Sequence, residues 1–131
     1  MKSKTKAILK DLEEYITIKS YKLPIFKGYT AVNKRGIEQF IDTLYATLPE
    51  DVYQARQYLK SLDIEPENHK EGKNEIYDNI RDLESELDTS VEVPLTFSKY
   101  AIVNINKLEQ ILDKIYTSLP KELTTIEKLN K

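Results

Sequence analysis

Hydrophobic residues follow a helical period in two long stretches of the chain. Between residues 33 and 48 they recur at i, i+3, i+4, i+7, i+8 and i+11, and the same spacing returns between residues 104 and 119. The stripes are Ile37, Phe40, Ile41, Leu44, Tyr45 and Leu48, then Leu108, Ile111, Leu112, Ile115, Tyr116 and Leu119. Stripes of this width are typical of amphipathic helices that face a core. We therefore predict two core-facing helices.

The two stretches belong to a longer repeat with an offset of 71 residues. Identities run through both copies: Asn33, Glu38, Gln39, Asp42, Tyr45, Leu48 and Pro49 recur as Asn104, Glu109, Gln110, Asp113, Tyr116, Leu119 and Pro120. Upstream, residues 11 to 13 match residues 82 to 84. Residues 23 to 25 match residues 93 to 95 once one extra residue is allowed in the second copy. The chain therefore carries a unit of roughly fifty residues twice.

Further elements surround these helices in each copy. Apolar spacing predicts an amphipathic helix over residues 4 to about 18, and a counterpart over about 74 to 87. A hydrophobic residue followed by proline then interrupts each copy and favours extended backbone. Residues 29 to 32 and 100 to 103 are rich in strand-favouring types, so we predict short extended segments there.

Local signals predict where the core-facing helices begin and end. Asn33 and Asn104 stand just before them, where a side-chain oxygen can cap the first turn. Residues 47 to 50, Thr-Leu-Pro-Glu, and 118 to 121, Ser-Leu-Pro-Lys, are typical of a break followed by a new helix. We therefore expect each copy to close as a helix-turn-helix hairpin.

The predicted fold is mainly α. It consists of two tandem helix–short strand–helix–turn–helix repeats that pack as a pseudo-two-fold pair, with room for a minor central sheet. Residues 1–62 form the first unit, residues 63–73 an acidic linker and residues 74–131 the second unit. A unit this short buries too little apolar surface alone. We therefore expect one compact domain in which each copy covers the other.

Composition restricts the chemistry that the chain can perform. Among 131 residues there is no Cys, and the single histidine, His69, falls in the predicted linker. This excludes disulfides, thiolate nucleophiles, Cys-based metal sites and a histidine-containing catalytic triad. No Gly-rich phosphate loop is present. We therefore predict a protein that is not an enzyme and binds no cofactor or metal. No apolar run approaches the ~20 residues of a membrane span, and a cytoplasmic location is expected.

Charge is unevenly distributed around a net charge of −2. Residues 63 to 92 hold eleven acidic residues against three basic ones, and this segment would repel nucleic acid. Lysines cluster in the opposite sense near the start, at Lys2, Lys4, Lys6 and Lys10, followed by Lys34 and Arg35. They leave open an alternative function, a nucleic-acid-associated regulator that uses the basic first helix.

Four residues are candidates for an interaction site. Asp42 and Asp113 recur at the same place in both copies. Each is interpreted as a solvated helix charge, although a salt bridge across the pair, or a carboxylate site if the two were buried together, are alternatives. Tyr53 and Tyr58 are candidates for exposed contact area on a protein partner.

The repeat resembles a known bacterial module. The order of acidic helix, hydrophobic-Pro-hydrophobic step, strand ending in Val-Asn, helix and Leu-Pro step resembles the N-terminal module of DivIVA-like and SepIVA-like cell-division scaffold proteins. The matching text is LEEYITIKSYKLPIFKGYTAVNKRGIEQFIDTLYATLPEDVYQARQYL, with a looser second match in LESELDTSVEVPLTFSKYAIVNINKLEQILDKIYTSLPKEL. Those proteins usually carry one module before a long coiled coil, whereas this chain carries two.

The resemblance implies an interaction module in which the second copy takes the place of a partner subunit. Together with the residue-based analysis it leads to the hypothesis of a non-enzymatic adaptor or scaffold in cell division or in a larger bacterial or phage-encoded assembly. The expected partner is a protein of unspecified identity. The intact chain is expected to be a monomer or a weak homodimer.

Overall fold

The computed structural model describes residues 1–19, 21–22, 27–65, 75–95 and 98–130. These ranges contain five helices and four strands. They are α1 (Lys4–Lys19), β1 (Tyr21–Lys22), β2 (Tyr29–Asn33), α2 (Lys34–Ser61), α3 (Glu75–Thr89), β3 (Val91–Leu95), β4 (Ser98–Asn104), α4 (Ile105–Thr117) and α5 (Lys121–Leu129). The predicted mainly α class is confirmed. Most of the predicted linker, including His69, lies outside the described residues, as do residues 23 to 25.

The strands form one antiparallel sheet in the order β1-β2-β4-β3, so the two copies join at its centre. There, Tyr29 pairs with Asn104, Ala31 with Ile102 and Asn33 with Tyr100. The offset of 71 makes Tyr29 equivalent to Tyr100 and Asn33 equivalent to Asn104. The register is therefore reciprocal, which is what a two-fold axis between β2 and β4 would produce.

Both predicted N-caps are confirmed. The Asn33 side-chain oxygen accepts from the Gly36 backbone amide at 3.0 Å, and the Asn104 side-chain oxygen accepts from the Lys107 amide at 3.1 Å. Gly36 and Lys107 are themselves equivalent positions. Each cap satisfies an amide that the first helical turn leaves without an intrahelical partner.

The core lies between the helices and one face of the sheet. The two predicted stripes contribute fully buried residues such as Leu44 and Ile115, and the sheet contributes Val32, Ala101 and Val103. Phe40 is only half-buried, where it contacts the Tyr15 ring at a centroid distance of 5.4 Å. In sequence-distant contacts, α1 packs on α2, α3 packs on α4, and α5 packs on α2.

The predicted turn over residues 47 to 50 is wrong, because α2 continues through Pro49 to Ser61. In the second copy the break does form, between α4 and α5. There, the Asn79 amide donates to the Lys114 carbonyl at 3.1 Å and to the Ser118 hydroxyl at 2.9 Å, and so caps the end of α4. The first-copy position equivalent to Asn79 is Ile8, which has no donor, and α2 lacks this stop signal.

Candidate functional site

Two equivalent hydrogen bonds connect the repeats. The Tyr45 hydroxyl of α2 donates to the Glu84 carboxylate of α3, and the Tyr116 hydroxyl of α4 hydrogen-bonds the Glu13 carboxylate of α1. Tyr116 is the repeat equivalent of Tyr45, and Glu84 is that of Glu13. Burial, followed by the bond to Glu84 and its charge, raises the pKa of Tyr45 to about 12. Burial, followed by the charge of Glu13 and the bond to it, raises the pKa of Tyr116 to about 12.

A groove opens beside each of these bonds. We call the first groove A, a cavity of about 190 Å³, and the second groove B, a cavity of about 470 Å³. Groove A is lined by Glu38, Ile41, Asp42, Glu84, Leu87 and Asp88. Groove B is lined by Glu13, Ile16, Thr17, Thr30, Ile105, Leu108, Glu109, Leu112 and Asp113. Every residue of groove A has its repeat equivalent in groove B.

The ammonium group of Lys34 lies beside groove A, where it pairs with two of the lining carboxylates. Lys34 Nζ lies 2.5 Å from Glu92, 3.5 Å from Asp88 and 3.9 Å from Glu38. The hydrogen bond to Glu92 is the main reason that the pKa of Lys34 is raised, and the same bond lowers the pKa of Glu92. The lysine thus compensates carboxylates contributed by both copies.

Besides conservative exchanges between Ile and Leu, the two copies differ in charge at two equivalent positions in or beside the grooves. Ile105 stands where groove A has Lys34, and Thr17 stands where it has Asp88. The lining of groove B includes buried Leu108 and Leu112, whereas Asp113 is exposed at the rim.

A second pair of positions has also diverged between the copies. In the first copy Gly36 faces Tyr15, and a Cβ at Gly36 would lie 1.9 Å from the Tyr15 hydroxyl oxygen. The equivalent residues of the second copy, Lys107 and Glu86, form an ion pair at 2.8 Å. The bond between Lys107 and Glu86 is also the main cause of a raised pKa at Lys107. At this contact the first copy therefore packs an aromatic ring against a glycine, whereas the second copy forms an ion pair.

The candidate residues from the sequence lie at separate places. Asp42 borders groove A and Asp113 borders groove B, and both are exposed, so they do not form a buried carboxylate pair. Tyr53 is 54% exposed, as expected of a contact residue. Tyr58 is predicted to be exposed as well, but it is half-buried against the core because it lies three residues after buried Ala55, on the same side of α2.

Sequence reasoning missed a buried carboxylate, Asp51, which is only 2% exposed. It accepts hydrogen bonds from the Ser3 hydroxyl at 3.0 Å, the Lys4 amide at 3.2 Å and the Thr5 amide at 2.9 Å. Asp51 therefore caps α1 from the middle of α2. No local pattern signals a contact across 46 residues. The hydrogen bonds between Tyr and Glu of different copies are easier to predict from the sequence, because both partners recur in both copies.

The described residues form neither a metal site nor a membrane-spanning helix. Over the described ranges, no group of three or more His, Cys, Asp or Glu side chains could hold a metal ion. No helix in the same part of the chain is both long and apolar enough to cross a membrane.

Comparison with known proteins leaves the structure as the main guide to function. No family model, curated protein or solved structure matches the chain.

Proposed function

We propose that the protein is a non-enzymatic interaction module that binds a protein partner on the outer face of its sheet. We define this outer face by Tyr29 and Ala31 of β2, Ile102 of β4, and Val91 and Val93 of β3. An adaptor or scaffold role in a larger assembly belongs to the same proposal. The resemblance of the repeat to DivIVA-like modules supports it as a prediction from the sequence.

The main support for this proposal is that the outer face is apolar and partly open to solvent. Side chains alternate between the faces of a strand. Thr30 and Val32 pair with Val103 and Ala101 on the side of the helices, where Val32, Ala101 and Val103 join the core. The outer-face residues therefore point to the opposite side.

Exposure on this face is greatest at two corners, whereas Ala31 is only 1% exposed and Val93 and Ile102 are half-buried. Val91 is 66% exposed and Tyr29 is 42% exposed, and Val91 pairs with Ile102 across β3 and β4. None of the five residues is charged. Uncharged aromatic and aliphatic side chains at the accessible corners of a sheet are the composition that the buried centre of a protein interface requires.

The nucleic-acid alternative gains less from the structure. Of the cations on which it depends, Lys6 forms an ion pair with Glu127, and Lys34 lies among the carboxylates of groove A. A lysine that already compensates a carboxylate contributes less to phosphate binding.

The proposal is tested by capturing partners from a native lysate with the immobilised full chain, wild type or Val91→Glu. A charge at Val91 should abolish capture of a specific protein, because burying an unpaired carboxylate in an apolar interface is unfavourable. Ile18→Glu is the matched control, since Ile18 is 70% exposed near the end of α1 and belongs to no strand of the sheet. Equal capture by both variants, or no specific capture by the wild type, would contradict the proposal.

A further inference from the structure

We propose that Lys34, Asp88 and Glu92 determine which surface each unit accepts as its partner. The first unit (residues 1–62) then pairs with a second unit (residues 74–131) in preference to another first unit, whether that second unit belongs to the same chain or to a second copy of it. This inference concerns the contact between the units, and it does not depend on a partner at the outer face of the sheet.

Several contacts between the units would form equally well between two identical units. The Tyr45 hydroxyl donates to Glu84, and the Tyr116 hydroxyl hydrogen-bonds Glu13. Each unit carries one tyrosine and one glutamate of this kind. At the centre of the sheet, β2 and β4 are themselves equivalent strands that pair antiparallel. A pair of first units, or a pair of second units, would therefore keep these contacts.

The contact at Lys34 is different, because its charges are divided between the units. The ammonium group of Lys34, in the first unit, lies 2.5 Å from Glu92 and 3.5 Å from Asp88, both in the second unit. The Lys34 side chain is only 18% exposed. Solvent and salt therefore screen this contact less than they screen an ion pair on the open surface.

The equivalent contact on the other side of the sheet lacks this arrangement of charges. Ile105 and Thr17 hold the places of the lysine and of Asp88, and both line groove B. In the sheet, Lys22 holds the place of Glu92, because each pairs with an equivalent residue of the neighbouring strand. The lysine and its two carboxylates thus meet only when a first unit contacts a second unit.

A pair of like units would carry an unfavourable contact twice. Two first units would bring each Lys34 to the place that Lys22 holds. Two second units would leave Asp88 and Glu92 facing Ile105 in place of a lysine. A two-fold axis repeats each of these contacts, so the cost is incurred twice in every like pair. Like charges in contact and carboxylates deprived of their cation both disfavour the wrong partner.

This choice of partner decides whether chains close or join into longer assemblies. A chain whose own two units pair leaves neither unit uncovered. Pairing between like units of different chains would leave one unit of each chain free for a further chain, which produces an open-ended assembly. The charge at Lys34 therefore favours the closed chain, or a closed exchange of units between two chains.

The direct test mixes two full chains that carry opposite charge reversals. Chain X carries Lys34→Glu and chain Y carries Glu92→Lys, so each alone brings like charges together. The first unit of X is complementary to the second unit of Y, and the first unit of Y keeps its wild-type contact with the second unit of X. When X and Y are unfolded in urea and refolded together, they should exchange units and form a dimer.

Light scattering and urea unfolding of X, of Y and of their equimolar mixture measure this exchange. At equal protein concentration the mixture should contain at least about tenfold more dimer than X or Y alone, because two like-charge contacts are replaced by opposite charges. Its urea midpoint should also exceed those of X and Y. A mixture whose mass and midpoint are the average of X and Y would overturn the proposal.

The control for chain Y is Asp78→Lys, because Asp78 is 68% exposed and forms its ion pair with Arg81 on the same helix. Mixing it with X should not produce the dimer, and an equal yield of dimer would overturn the proposal. A single chain with both Lys34→Glu and Glu92→Lys gives a second measure. It should unfold at a higher urea concentration than X or Y, and failure to do so would overturn the proposal even if X and Y do not fold alone.

Discussion

At the residue scale, Gly36 shows how a single contact decides which side chain a helix can carry. An alanine would usually stabilise a helix relative to glycine by up to about 1 kcal/mol. Here its Cβ would lie 1.9 Å from the Tyr15 hydroxyl oxygen, and Tyr15 is held in place by Phe40. Forced overpacking of this kind costs about 1–3 kcal/mol. The steric cost of an alanine at position 36 should therefore exceed its gain in helix propensity.

We predict that Gly36→Ala lowers the free energy of unfolding in the wild type and raises it in a Tyr15→Ala background. The sign should reverse because removing the ring leaves only the gain in helix propensity. Urea unfolding of the four proteins measures this cycle. A decrease of the same size in both backgrounds would show that the Tyr15 ring does not set the requirement for glycine.

The cross-repeat tyrosines predict a loss of stability in alkali. Below pH of about 10, Tyr45 and Tyr116 are protonated in both the folded and the unfolded chain. Between about pH 10 and the folded pKa of about 12, the unfolded chain releases these protons and the folded chain retains them. Stability must therefore fall over this interval.

The measurement is urea unfolding at pH 8 and pH 11. The double variant Tyr45→Phe with Tyr116→Phe should lose less stability between the two pH values than the wild type does. Tyr53→Phe, which changes an exposed tyrosine, should behave as the wild type. An unchanged loss in the double variant would rule out the two bonds as the source of the alkaline sensitivity.

Sequence signals succeed at this scale where the contact is local. Asn33 and Asn104 cap amides only three residues away, so the pattern contains all that is needed. Asp51 binds amides of residues 4 and 5, and its role depends on how α1 and α2 pack. Such a contact follows from tertiary structure and cannot be read from the residues beside it.

At the element scale, α1 depends on the cap supplied by α2. We predict that Asp51→Ala lowers the free energy of unfolding by about 1–3 kcal/mol, because buried amides lose a charged acceptor. The equivalent residue in the second copy is Glu122, which forms an ion pair at 3.5 Å with largely exposed Arg56. Glu122→Ala should cost only about 0–1 kcal/mol.

Chemical denaturation of the two alanine variants checks this difference. Helix content by circular dichroism should remain near the wild-type level for Glu122→Ala and should fall for Asp51→Ala as the start of α1 frays. Equal effects on stability would contradict the structural role assigned to the Asp51 cap.

The same scale shows why most elements, but not every turn, could be predicted. Helical and strand periods repeat along the chain, and the structure places α1, β2 and β4 at the expected residues. The Leu-Pro step is common to both copies, yet only the second copy has Asn79 to cap the helix end. A proline alone weakens a helix without ending it when packing on both sides holds the helix together.

At the scale of the whole molecule, the repeats relate to each other reciprocally. When the copies are exchanged, the β2–β4 register stays the same. The two Tyr–Glu bonds take each other's place, and so do the grooves A and B. A pseudo-two-fold pair requires contacts of this kind, in which residue i meets j and j meets i. They agree with a pseudo-two-fold pair contained in one chain, which stays a prediction.

The function could not be predicted to the same depth from sequence. The stripes indicate what is buried, but the outer face of the sheet depends on strand pairing between residues far apart, such as Ala31 and Ile102. Grooves A and B likewise arise only when α1 meets α4 and α2 meets α3. The repeat marks Asp42 and Asp113 as candidates because they recur, but only the packing of the helices places them beside the grooves.

The most direct test of the pseudo-two-fold arrangement is the mass in solution of residues 1–62 alone, measured by light scattering beside the full chain. A single unit would expose the apolar stripe that the second copy covers, so it should pair with another copy through β2. We predict that residues 1–62 dimerise or aggregate, and that the intact chain is a monomer or a weaker dimer. A monomeric, soluble and cooperatively folded 1–62 fragment would show that the units are independent, and would contradict the arrangement.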